Sequence, residues 1–287
     1  MTTLTHTAPT PARATFVPTG SGLSFTGIIR SEWIKLWSLR STPWSFALVV
    51  LTALGMAALM SFAMVGLRDS GADIPAGGFP APDQARTLVT SSTFGVFFGQ
   101  LIVAVLGVLV MSGEYSTGMI KSTLTAVPRR LPTLWAKTAV LFVATFVVSA
   151  VSTIGSFLVS SPILAGTGLH ASLFDESVIL PLLGGGLYLA LVSVFALGIG
   201  VILRSSAGGI AAALGMVLLL PSVLPMIPAD WVADLGPYLI SNAGMNLMGL
   251  VGMSTASLGF WQNLLIVLGW VAASLIGAAV LLKRRDA

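Results

Sequence analysis

The chain has 287 residues, 55% of them hydrophobic and only 8% charged, with a net charge of +4. Soluble domains carry about 25% charged residues, so an ordinary water-soluble core is excluded. The mean hydropathy of +0.96 points to an all-α protein that crosses a membrane several times. Backbone groups in lipid must pair within their own segment, so long apolar runs mean helices, and the alternating pattern of a barrel is absent. There is no cysteine, hence no disulfide and no thiolate site.

Residues 1–23 are rich in Thr, Pro and Ala and predict a disordered tail, with no signal-peptide pattern. Residues 24–287 read as one membrane domain. Phe25 to Arg40 predicts a helix with Phe25, Ile29, Trp33, Leu36 and Trp37 on one face and Ser31, Lys35 and Ser38 opposite. Two Trp beside basic residues fit a helix lying in the headgroup layer. Ser41-Thr42-Pro43 then breaks it and starts the next, which makes an elbow: a plain anchor or a moving part.

Six spans are expected, over about 44–67, 94–111, 134–164, 178–203, 207–220 and 260–282. The loop Arg68 to Thr93 is expected to be irregular and solvated. Gly95 and Gly99 allow close helix approach in the second span, and Gln100 is expected to make an interhelical hydrogen bond. Lys137 is expected to snorkel outward from the start of the third span. The fourth span carries Pro181 and Gly184-Gly185-Gly186, a mark of a kink or of tight packing. Only Arg204, Ser205 and Ser206 separate it from the fifth, whose helix Pro221, Pro225 and Pro228 should break. Trp231 to Gly259 is apolar but interrupted, and predicts re-entrant or surface helices. Gly269, Ala273 and Gly277 form a small-residue stripe on the last span.

Between the second and third spans runs Gly113 to Pro132, GEYSTGMIKSTLTAVPRRLP. Ser116 is a candidate N-cap for a helix of about three turns ended by Pro128. Met119, Ile120, Thr123, Leu124 and Val127 recur at helical spacing and form one mostly apolar face. A groove in a partner protein would cover such a face. The lipid surface or the chain's own helices would serve equally.

Charge placement sets the expected topology. With six spans and both termini inside, the inner segments hold Arg13, Arg30, Lys35, Arg40, Lys121, Arg129, Arg130, Lys137, Arg204 and Lys283 to Arg285. The outer segments hold only Arg68 and Arg86 as bases, together with most of the acids. Basic residues favour the cytosol, so 113–132 is expected there.

Enzyme chemistry is not expected. The two His, His6 and His170, have no partner ligand at metal spacing. No P-loop sequence is present, so ATP hydrolysis by this chain is not expected. The span centres carry no Asp, Glu or His, which weakens an ion-coupled carrier. The basic residues lie at membrane edges, so a nucleic-acid partner is not implied. Phe97, Phe98, Gln100 and Trp270 could line a pathway, or simply pack.

Two segments carry a family resemblance: Arg30-Ser31-Glu32-Trp33-Ile34-Lys35-Leu36 before the first span, and Gly113-Glu114-Tyr115-Ser116-Thr117-Gly118-Met119-Ile120 followed by Pro128-Arg129-Arg130 after the second. They resemble the permeases of ABC transporters of the ABC-2 type, over roughly Phe25 to Arg285. The resemblance implies a homo- or heterodimer of permease subunits in the cell membrane, each binding a separate cytosolic ATPase subunit that holds the ATP. It implies a coupling helix at Ser116 to Ala126, with Ser116, Met119, Ile120, Thr123 and Leu124 as its contact residues. It also places Glu114 at the junction with the second span, in polar contacts with the entry helix through Glu32 and Lys35; a solvated acid facing Lys121 or Lys35 is the alternative. The expected function is export of an apolar or amphipathic compound. The other candidates are a non-transport scaffold holding a cytosolic partner and an ion-coupled carrier.

Overall fold

The computed structural model describes residues 24–70, 84–116, 118, 130–249 and 258–284. All regular structure among them is helical. In chain order the helices are α1 (Phe25–Ser38), α2 (Ser41–Asp69), α3 (Gln84–Thr93), α4 (Val96–Ser116), α5 (Arg130–Ala165), α6 (Glu176–Leu203), α7 (Ser206–Leu214), α8 (Leu220–Val223), α9 (Asp230–Leu235), α10 (Ile240–Asn246) and α11 (Phe260–Arg284). Among the described residues six stretches are long and apolar enough to cross a membrane: 41–69, 84–116, 131–165, 176–203, 206–226 and 260–284.

The fourth stretch is the axis of the bundle. From Tyr188 to Val201 every residue of α6 is buried, as expected of a helix that is apolar all round. It packs against α4, α5 and α11. Close approach explains its glycines. A Cβ on Gly184 would fall 2.6 Å from the Leu247 carbonyl oxygen, and one on Gly186 3.0 Å from the backbone of Ala150. Tighter still, Gly107 of α4 faces the Ser193 carbonyl oxygen, where a Cβ would come within 2.1 Å.

Several expectations need correction. Residues 84–93 are not irregular loop but helix, and Leu88, Val89, Ser91, Ser92 and Thr93 are buried. The hydroxyls of Ser91, Ser92 and Thr93 each donate to the carbonyl one turn back. That satisfaction lets a polar stretch enter the interior. The fifth stretch also runs further than expected. A π-helical turn at Gly215–Leu219 precedes Pro221, and helix continues to Val223 and then as a 3-10 turn to Met226. The widened turn accommodates a proline ring that would clash with the carbonyl four residues back. On α11 the buried residues are Asn263, Val267, Val271, Ser274, Leu275, Ala278 and Leu282. Among the described residues a Cβ on Gly269 would meet nothing within 4 Å, whereas one on Gly277 would meet Ile202. Within 230–249, α9 and α10 have six and seven residues, too short to span.

Candidate functional site

One end of the bundle gathers charge. The entry helix α1 is capped by Ser24, whose Oγ accepts from the Gly27 amide at 3.1 Å. Its buried positions are Ile28, Glu32 and Leu36, four residues apart, so they lie on one face. Of the expected apolar face, Leu36 is buried while Phe25, Trp33 and Trp37 stay largely exposed, as a face turned to the headgroup layer would be. The acid turns inward because its partners are there.

Those partners come from three helices. Lys137, two turns into α5, donates to Glu32 Oε2 at 2.5 Å and to Glu114 Oε1 at 2.8 Å. Lys35 donates to Glu32 Oε1 at 2.7 Å and stands 3.6 Å from Glu114 Oε1. Glu32, Glu114 and Lys137 are buried, and the Lys35 side chain is about a quarter exposed. Lys137 therefore does not snorkel outward, and Glu114 is not solvated. Two acids and two bases cancel, which is the condition for keeping ions out of water.

The last turn of α4 is also held from its other side. Arg204 lies over the Tyr115 ring, 5.2 Å from its centroid. Ser206 Oγ and Ser112 Oγ are 2.9 Å apart. Arg204 caps α6 in the left-handed region, φ 51°, which turns the chain sharply into α7. Ser112, Glu114 and Tyr115 thus tie the end of α4 to α7, to α1 with α5, and to the α6–α7 turn respectively.

A second polar cluster sits midway along the spans. The hydroxyls of Tyr188 and Ser241 both donate to Gln100 Oε1. They link α4, α6 and α10. The Tyr188 ring lies on Gly244, where a Cβ would fall 1.9 Å from the ring. Trp270 packs edge-on against Phe195, and its Nε1 donates to the Tyr238 carbonyl at 2.9 Å.

Of the residues singled out from sequence, Glu32, Lys35 and Glu114 come together. Ser116 is the last residue of α4, exposed, with its Oγ donating to the Gly113 carbonyl at 3.0 Å. It ends a helix where the sequence pattern has it begin one. Met119, Ile120, Thr123 and Leu124 lie outside the described residues. Sequence reasoning missed Lys137 as a partner and the Arg204–Tyr115 contact. One signal was available: Lys137 is the only residue with a full charge between Arg130 and Asp175. Among the described residues no three acids or histidines gather as a metal ion would require. No family model matches the chain, and no curated protein matches it.

Proposed function

We propose that the chain is the permease subunit of an ATP-driven exporter, working as a homo- or heterodimer in the cell membrane with both termini in the cytosol. A separate ATPase subunit docks on 116–126 through Met119, Ile120, Thr123 and Leu124. The observation that carries this reading is the buried bridge Glu32–Lys137–Glu114. It lies at the end of α4 from which the docking segment continues, so a push on that segment reaches α1 and α5 through paired charges that cannot part cheaply. The charge asymmetry of the segments supports the cytosolic placement of that end. The resemblance of 30–36 and 113–120 to ABC-2 permeases supplies the class of motor and the export of an apolar or amphipathic compound.

The test is reconstitution with an ATPase that co-purifies with the chain. Charged substitutions Met119→Glu and Leu124→Glu should release that ATPase or uncouple its hydrolysis from solute movement. Labelling of 119–124 from the outer side only, or coupling unchanged in both variants, overturns the proposal. The buried carboxylates also favour one competing reading, an ion-coupled carrier. Solute movement that follows a proton or sodium gradient without ATP would select it.

A further inference from the structure

The outer side of α1 carries a second pattern. Arg30, Trp33, Ile34 and Trp37 follow one another at steps of three and four residues or less, so they share one stripe. All four are exposed, and the stripe lies away from the buried positions Ile28, Glu32 and Leu36. Ring contacts give its direction. Trp33 and Trp37 have centroids 5.9 Å apart, and Trp37 stands 5.9 Å from Phe46, a buried residue of α2. The stripe therefore turns toward the first span, while Gly27, Ser31 and Ser38 occupy the other exposed edge of the helix. Only Leu39 and Arg40 separate the two helices, a reach of at most about 10 Å from Ser38 to Ser41. Trp44, on the first turn of α2, is 73% exposed, as an interfacial indole is.

The charge at this end of the bundle is one-sided. Glu32, Glu114 and Lys137 meet there, Ser206 reaches Ser112, and Gly277 faces Ile202 near the α6–α7 turn, so α1 and the end of α11 lie at the same end. Among the described residues its acids are Glu32 and Glu114, both buried against lysines. Arg30, Arg40, Lys283 and Arg284 are exposed and form no ion pair among the described residues. The bridge withdraws the acids and leaves a surface of bare positive charge.

These features select an occupant. A protein groove would have to enter the angle between α1 and the first span, where lipid lies. Indole and aliphatic side chains enter the acyl boundary, and a guanidinium flanked by them sits at phosphate depth. Arginine grips a phosphate through two parallel N–H donors. A zwitterionic headgroup returns a positive charge to a surface that already carries four, and an anionic one does not.

We propose that the stripe of Arg30, Trp33, Ile34 and Trp37, with Arg40 at the elbow, binds the phosphates of anionic phospholipid in the leaflet at this end. α1 is then held from within by the Glu32–Lys137 bond and from without by lipid. The proposal rests on the six long stretches crossing a bilayer, and on neither an ATPase nor an exported solute.

The test follows amide hydrogen exchange of residues 25–38 in the full chain, in nanodiscs of phosphatidylcholine and in nanodiscs with rising shares of phosphatidylglycerol of the same acyl chains. A lipid that binds the docked helix slows its local opening, so exchange reports occupancy. The expected result is slower exchange with phosphatidylglycerol than without it at 25–38, and no change at 166–175, beyond the far end of α5. A base near an anionic surface is worth about a fivefold factor in affinity. Arg30→Gln should therefore raise the share of phosphatidylglycerol that gives half the effect about fivefold, and Arg30→Gln with Arg40→Gln should lose the response over the same range. In the unmodified protein, salt at about 1 M shortens the Debye length to about 3 Å and should weaken the response. Equal exchange in both kinds of disc, or a response unchanged in the double variant, overturns the proposal. Protection of 25–38 that appears only on adding a protein partner would place that protein on the stripe and overturns it too. The lipid and salt comparisons need no variant, so a misfolded one does not blunt them.

Discussion

Lys137 and Glu32 lie 105 positions apart in the chain, yet the lysine ammonium donates to the carboxylate at 2.5 Å. The bond joins α1 to α5, and Glu114 brings in α4. A buried ion pair is seldom more stable than apolar packing of the same volume. Its effect is to make three helix positions interdependent, because moving one alone strands a charge.

That interdependence predicts the effect of Lys137→Met. Glu32 and Glu114 would stay buried with only the partly exposed Lys35 to balance them. Removing one partner of a buried pair costs about 3–5 kcal/mol. The thermal midpoint of the variant in detergent should fall well below that of the wild type. Adding Glu32→Gln and Glu114→Gln on the same background should recover most of the loss, since no buried acid then remains. A single variant as stable as the wild type would show that the bridge carries no such constraint.

The spans were legible because a run of about 20 apolar residues has few readings other than a membrane helix. Their ends were not. Polarity marks where charge begins, and here helix persists past it: α4 carries Glu114 and runs to Ser116, and α5 begins at Arg130. The helix α3 was hidden for a related reason, since hydroxyls that bond their own backbone leave no apolar signature. At the site, Glu32, Lys35 and Glu114 could be singled out as acids and a base within the two segments that carry the family resemblance. Lys137 could not be paired, because a lone lysine near a span end does snorkel unless an acid meets it, and its acids are 23 and 105 positions away. The Gln100 cluster was half legible: a lone amide in a span predicts a hydrogen bond but not its donors.

Those donors set a second test. Tyr188→Phe removes one of the two hydroxyls on Gln100 Oε1 and should cost about 0.6–1.7 kcal/mol, the range for interhelical hydrogen bonds in membranes. On a Gln100→Leu background the cost should shrink. There the buried Tyr188 hydroxyl has lost Gln100 and keeps only Ser241 as a partner, so Phe removes less. Thermal midpoints of the four proteins form the double-mutant cycle, and additive effects would mean the two residues do not interact.

Glycines separate packing from composition in the same way. At Gly107 a methyl group would collide with backbone, 2.1 Å from the Ser193 carbonyl oxygen and 3.0 Å from its carbon. Backbone cannot rotate aside as a side chain can, so Gly107→Ala should push α4 from α6 and cost about 1–3 kcal/mol or more. At Gly269, also within a helix, a methyl group meets nothing within 4 Å. Alanine favours helix over glycine by about 1 kcal/mol, so Gly269→Ala should be neutral or stabilising. The thermal midpoints of the two variants should therefore lie on opposite sides of the wild type, or the second level with it. A loss at Gly269 equal to that at Gly107 would place a helix contact on the open face of α11, where the described residues provide none.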